Sequence, residues 1–193
     1  MDSPNVIILA GPNGAGKSTI SNSLIRVQFG CAHYVNADTI ARGLSAFNVE
    51  AMALKAGRIM LQHLHDLAES RADFAFETTL ASKTFAPWIA ELKTKGYQFH
   101  LVYLWLSSAD MAMRRVRRRV SEGGHNIPEE TIRRRYQRGV DNFFNLYRPL
   151  ANVWSFYDHS DPDQSRLIAE MRDTIETVHD SELWRQILSG VKS

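Results

Sequence analysis

The sequence predicts an α/β fold: three layers, with helices on both faces of a mainly parallel sheet whose core has five strands. Three observations carry that reading. Short apolar runs alternate with helix-compatible segments along the chain, as βα units around a parallel sheet do. The first run, Val6-Ile7-Ile8-Leu9-Ala10, leads straight into Gly11-Pro12-Asn13-Gly14-Ala15-Gly16-Lys17-Ser18, a match to G-x-x-x-x-G-K-[ST]. Finally, nine arginines crowd into residues 111–139 against three glutamates, a local charge of +6 in a chain whose formal total is +2.

Strands are predicted over 5–10, 33–36, 73–78, 98–106 and 153–158, and helices over 17–27, 49–70, 84–95, 109–121, 129–146 and 182–188. Pro87 falls in the first turn of its helix, where its missing N–H costs nothing. Gly96 fits the stop before the fourth strand. Between 165 and 178 the spacing supports two structures. Alternation of Leu167, Ala169 and Met171 and the β-rich run 175–178 favour a small hairpin, while Leu167, Ile168, Met171 and Ile175 also suit a helix. The expectation is the hairpin. With neither repeats nor Pro/Gly/Ser-rich linkers, residues 1–193 are expected to form a single domain.

The glycine-rich segment sits where a strand hands over to a helix. There, backbone N–H groups can close around phosphates at the positive end of a helix. Gly11, Asn13, Gly14, Ala15, Gly16, Lys17, Ser18 and Thr19 are therefore the expected nucleoside-triphosphate-binding set. Lys17 would reach the β- and γ-phosphates, and the Ser18 hydroxyl would ligate Mg²⁺. A glycine-rich surface turn is the plainer alternative; the flanking strand and helix favour the phosphate loop.

Ligands of open parallel sheets bind beyond the carboxyl ends of the strands. The second strand ends in Asn36-Ala37-Asp38 and the third in Glu77-Thr78-Thr79. Asp38 suits a base that accepts a hydroxyl proton, or a place in the Mg²⁺ shell; its alternative is an N-cap for a helix starting near Thr39. Glu77 with Thr78 and Thr79 offers an acceptor beside two hydroxyls, a set suited to sugar or ribose. A capping box for the next helix is the competing reading. Asp158 reads as part of a turn with Pro162.

Arg115 and Arg119 lie four apart, on one face of a helix. Gly123-Gly124 breaks that helix, and Pro128-Glu129-Glu130 opens the next, which carries Arg134 and Arg135. Two arginine-bearing helices joined by a glycine hinge suggest a lid, about 109–140, that closes over a triphosphate. His125 sits in the hinge, where a loop hydrogen bond is the expected role. A solvated charged face is the alternative for the whole run.

Composition narrows the classes further. A chain of 193 residues with 44% apolar content suffices for one α/β core. A single cysteine, Cys31, rules out an internal disulfide and suits the cytoplasm. Apolar runs fall short of the roughly 20 residues that span a bilayer, so no membrane association is expected. Outside the arginine segment the chain is net acidic, and the arginines lack interleaved aromatics, which argues against nucleic acid as a partner.

The ordered set Gly11 to Thr19, Asn36-Ala37-Asp38, Phe76-Glu77-Thr78-Thr79-Leu80 and Arg115-Val116-x-x-Arg119-Val120-x-x-Gly123-Gly124-His125-x-Ile127-Pro128 resembles the zeta-toxin family, and Ile132-Arg133-Arg134-Arg135-Tyr136 extends the match. The resemblance runs from about residue 5 to 188 and implies a P-loop kinase fold. It implies an ATP- and Mg²⁺-dependent kinase whose characterised members phosphorylate the 3′-hydroxyl of the N-acetylglucosamine in UDP-N-acetylglucosamine, blocking peptidoglycan precursor synthesis. Carried over by motif, Lys17 and Ser18 hold phosphate and Mg²⁺, Asp38 is the base, and Glu77 and Thr78 contact the sugar nucleotide. Arg119 and Arg135 clamp phosphates, with Arg115 or Arg134 as sharers. The chain is compact beside the longer toxins, so a separately encoded antitoxin is the implied partner. Two other readings stay open: a kinase of another small hydroxylated molecule such as a nucleoside or antibiotic, and an ATP-dependent nucleic-acid binder.

Overall fold

The computed structural model describes residues 3–45, 48–124, 126–161 and 163–192. Seven strands form one sheet in the order β2-β3-β1-β4-β5-β6-β7, where β1 is Asn5–Ala10, β2 His33–Val35, β3 Phe74–Thr78, β4 Gln98–Trp105, β5 Val153–Asp158, β6 Arg166–Arg172 and β7 Ile175–Val178. The first five in that order are parallel, and β6 and β7 are added antiparallel at one edge. The register places Leu9 beside Glu77 and Ala10 beside both Thr78 and Tyr103. The carboxyl end of β3 is thereby level with the start of the glycine-rich loop.

Side chains of β1 alternate between the two faces of the sheet, as the period of an extended chain requires. Val6, Ile8 and Ala10 join a core with α3 (Ala53–Glu69), α4 (Phe85–Thr94) and α7 (Ser181–Ser189). Ile7 and Leu9 face α1 (Lys17–Ser21), its π-helical continuation Asn22–Gln28, and α5 (Ala109–Ser121). Helix α6 (Glu129–Asn142) joins both cores. Its Ile132 and Tyr136 pack with the α1–α5 core, whereas Val140, and Phe143 just beyond the helix, pack with the other. The helix thus crosses the carboxyl edge of the sheet.

Beneath that crossing lies an aromatic cluster. Trp154 and Trp184 stack with rings 10° apart at 5.8 Å, and Phe143, Phe144 and Phe156 surround them. Such pairs add about 0.5–1.5 kcal/mol each beyond the area they bury.

The hairpin expected after β5 is present as β6 and β7. Asp173 and Thr174, at φ 50° and 67°, form its two-residue turn, the conformation a tight hairpin demands. Four helical readings change, the first being 17–27, which is α only to Ser21 and π-helical from Asn22 to Gln28. An additional helix, α2 (Ala37–Leu44), follows β2, and its N-cap is Asn36, whose side chain accepts from the amides of Asp38 and Thr39 at 2.7 and 3.2 Å. Asp38 is therefore free of the capping role considered for it. The span 49–70 begins as a 3₁₀ turn, Glu50–Met52, before α3. The span 129–146 leaves α geometry after Asn142 and continues as a π-helical segment, Phe143–Tyr147. His125 and Pro162 lie outside the described residues.

Candidate functional site

Gly11, Gly14 and Gly16 have φ of 143°, 79° and 79°, conformations that favour glycine. At Gly11 the reason is also steric: a Cβ there would stand 2.3 Å from the carbonyl oxygen of Leu104. The loop closes on itself through Ala15 N–H to Pro12 O and Thr19 N–H to Gly16 O, at 3.1 and 3.0 Å. Lys17 is buried, and its Nζ donates to the carbonyls of Gly11 and Pro12 at 2.8 and 3.0 Å. Burial pulls the lysine pKa down; the carboxylates of Glu77 and Asp38 pull it partly back, and Arg119 and Arg135 lower it further. Asn13 Oδ1, buried beside the loop, has no partner among the described residues. An orphaned amide, a ring of glycines and a buried cation together fit a phosphate chain.

Across from the loop, Glu77 accepts hydrogen bonds from Ser18 Oγ, at 3.0 and 3.1 Å to its two oxygens, and from Tyr34 Oη at 2.5 Å. Burial first, and the Glu77 charge second, push the Tyr34 phenol far above its ordinary range. Asn36 Nδ2 lies 3.4 Å from Ser18 Oγ, so the α2 cap residue also touches this cluster. Thr84 is the N-cap of α4, with no side-chain cap bond, so Glu77 does not belong to a capping box.

Lys17, Asp38, Glu77, Thr78 and Thr79 line one open cavity of about 390 Å³ with Arg134, Arg135 and Arg138. The arginines come from the middle of α6, where that helix crosses the sheet edge. Asn13, Asn36 and Ser82 supply further polar lining, and Met60 and Phe85 form an apolar wall. Burial lowers the Arg135 pKa, with Arg134 adding to the effect and Asp38 opposing it.

The remaining arginines have other surroundings. Arg115 lies on the opposite flank of the loop, donating to Ser160 O at 2.7 Å and Gly14 O at 3.5 Å. Arg119 is within electrostatic reach of Lys17, and its backbone is pinned by Gly124 N–H at 2.8 Å. Arg117 and Arg133 form exposed ion pairs with Glu129 and Asp110 that tie α5 to α6. Ser18 and Thr19 sit exposed at the start of α1, outside the cavity lining.

Sequence reasoning thus assembled Asn13, Lys17, Asp38, Glu77, Thr78, Thr79, Arg134 and Arg135 around one space. It passed over Tyr34, Asn36, Ser82 and Arg138. A signal existed for two of these: Asn36 is a cap-type residue before a helix, and Arg138 follows Arg134 by four on one helical face.

A glycine-rich loop after β1, Glu77 at the end of the adjacent β3, Asp38 just beyond β2 one strand further out, and arginine-bearing helices over the edge define a P-loop kinase fold. The chain belongs to the zeta toxin family, whose model matches residues 1–161. An uncharacterized protein of Haemophilus influenzae is 29% identical over 131 residues, 67% of this chain and 91% of that one. Among solved structures, the AvrRxo1-ORF1:-ORF2 complex with ATP matches at a TM-score of 0.77 and 16% identity, covering 99% of this chain. The present chain spans 65% of that chain's length. A structure of the PezAT chromosomal toxin-antitoxin system of Streptococcus pneumoniae matches at a TM-score of 0.66 and 17% identity, over 98% of this chain and 84% of that one. These likenesses are to the fold. Among the described residues, no helix is long and apolar enough to cross a membrane.

Proposed function

We propose that this protein is a phosphotransferase that moves the γ-phosphate of ATP to a hydroxyl of a small acceptor. The observation that carries the reading is the convergence of Lys17, Asp38 and the α6 arginines on one cavity at the mouth of the glycine-rich loop. The loop amides, Asn13 and Lys17 would hold the phosphate chain, with Arg115 and Arg119 on the α5 side. Ser18 would ligate Mg²⁺, and Glu77, already bonded to Ser18, fits the shell of that ion better than a sugar hydroxyl. Bound there, Mg²⁺ would neutralise charge on the transferring phosphate.

Asp38 is the proposed base: it accepts the acceptor's hydroxyl proton as the oxygen forms its bond to phosphorus and ADP departs. Arg135, with Arg134 beside it, lies where negative charge builds on the transferring group, and such donors act most strongly when prepositioned. Thr78 and Thr79 form the acceptor's wall. Three arginines favour an acceptor that is itself anionic, which suits UDP-N-acetylglucosamine or a related nucleotide sugar better than a neutral antibiotic. Such an enzyme would work in the cytoplasm, and family likeness supports a separately encoded antitoxin as its partner.

Incubation with ATP, Mg²⁺ and UDP-N-acetylglucosamine, followed by mass spectrometry, tests the reading. One added phosphate that is lost in Asp38→Asn is the expected result. Transfer that persists in Asp38→Asn removes the assigned base, and absence of transfer to any hydroxylated acceptor removes the kinase reading. Growth arrest on expression that depends on Lys17 is the test of toxicity.

A further inference from the structure

Leu80 follows the two threonines of the cavity wall, and its φ of 59° is one that side-chain-bearing L-residues rarely adopt. Strain of this kind persists only where the surroundings over-determine it. Here the Leu80 side chain is sunk in the core, 1% exposed, and its N–H donates to Thr78 Oγ1 at 3.1 Å. Its carbonyl accepts from Asn142 Nδ2 at 2.7 Å, a buried bond spanning 62 residues. Two further contacts come from the same stretch of chain. Tyr147 Oη donates to Ser82 O at 2.7 Å, and Gly139 lies so close that a Cβ there would stand 2.5 Å from Thr79 O.

The end of α6 and its π-helical continuation therefore grip the Thr79–Ser82 loop at three successive points, while the preceding turns of α6 present Arg134, Arg135 and Arg138 to the same cavity. A π segment where an α-helix would otherwise continue is a recurrent mark of functional sites. Burial of an amide in an apolar setting is unfavourable unless its bonds are made, so a plain packing role at position 142 calls for an aliphatic residue.

We propose that Asn142 is a positioning residue for the acceptor: by fixing Leu80 in its left-handed conformation it sets Thr79 and Ser82 in the wall against which the acceptor lies. Helix α6 then couples the acceptor wall to the arginines in one rigid piece. The assignment of that wall to an acceptor rests on the kinase reading above.

The test uses the full-length chain carrying Asn142→Leu, with hydrogen exchange by mass spectrometry, ATP affinity by calorimetry, and steady-state kinetics with UDP-N-acetylglucosamine. Expected are exchange of residues 78–84 faster by about tenfold, the scale of one lost buried hydrogen bond, unchanged exchange of residues 11–19, and unchanged ATP affinity. The acceptor KM should rise by a similar factor with kcat less affected. Exchange that rises everywhere or nowhere overturns the proposal, as does a KM for ATP that rises in step with that of the acceptor. Should Asn142→Leu fail to fold, Tyr147→Phe, which removes only a hydroxyl, is expected to show the same pattern at smaller size, and its absence there counts against the grip. If wild-type protein phosphorylates no acceptor, the kinase reading fails by itself. Exchange confined to 78–84 then still upholds Asn142 as the residue that fixes this wall, and unlocalised or unchanged exchange still overturns it.

Discussion

The hydroxyl of Ser18 lies 3.0 Å from one carboxylate oxygen of Glu77 and 3.1 Å from the other, across 59 residues of chain. The parallel register of β1 and β3 brings this about, because Leu9 and Glu77 are lateral neighbours and the loop begins two residues after Leu9. A hydroxyl already committed to a carboxylate is one that a divalent cation can enter with both oxygens as ligands or as holders of its waters.

Glu77→Gln keeps the shape of this position while removing its charge and turning one of its two acceptor oxygens into a donor. We expect the Mg²⁺ concentration needed for half-maximal ADP release to rise by about tenfold, one charge-assisted contact's worth. A Mg²⁺ titration of turnover measures it. An unaltered Mg²⁺ requirement with a raised acceptor KM would return Glu77 to contact with the sugar.

Lys17→Met should separate binding from folding. The lysine is buried and its charge is disfavoured there, so the nucleotide-free protein gains little from it. Toward a polyphosphate, the same cation makes charge-assisted hydrogen bonds worth about 1.5–3 kcal/mol, roughly a 10- to 150-fold effect on ATP affinity. Thermal melts should show nearly equal Tm values without ATP, and loss of the ATP-induced rise in the variant. A large fall in the nucleotide-free Tm would mean that the bonds to Gly11 O and Pro12 O matter more to the fold than to the ligand.

The parts of this structure that were legible in the sequence are those set by neighbours along the chain. β1 and β5 fall at their expected bounds, and α5 at 109–121, because apolar runs, the glycine-rich motif and the Ser108 cap all act locally. Asn36 was read as the end of a strand rather than a cap because α2 is short and its start, Ala37-Asp38, also fits a loop. Contacts across the fold left no such mark. Asn142 reads as one more polar position near the end of a helix, and only its bond to Leu80 reveals its use. The arginine run divides in the same way: its charge was legible, but the division into cavity-lining Arg134, Arg135 and Arg138 and ion-paired Arg117 and Arg133 depends on how α5 packs on α6.

Gly139→Ala should show how tightly α6 sits on the Thr79–Ser82 loop. The added methyl would stand 2.5 Å from the backbone oxygen of Thr79 and 3.1 Å from Oη of the fully buried Tyr103. Overpacking of this kind costs about 1–3 kcal/mol, enough to lower the midpoint of urea denaturation visibly. An unshifted midpoint would show that the helix can lift from the loop at little cost.

Alkaline pH should weaken the fold through its buried phenols. Burial raises the pKa of Tyr136 and Tyr147 to about 12, and pushes Tyr34 and Tyr103 upward as well. In the unfolded chain these groups ionise near 10. Between about pH 10 and 12 the folded state therefore keeps protons that the unfolded state releases, and the difference favours unfolding as pH rises. Lys17 acts in the opposite sense. Its folded pKa is lowered, so the unfolded state is the better proton binder below its ordinary value, but it is one group against several. Tm measured from pH 9 to 11.5 should hold steady up to about pH 10 and then fall. Tyr136→Phe, which also loses the 2.7 Å bond to Leu106 O, should start from a lower Tm and fall less steeply. A Tm as steep in Tyr136→Phe as in the wild type would show that Tyr136 ionises at its ordinary value and that its hydroxyl reaches solvent.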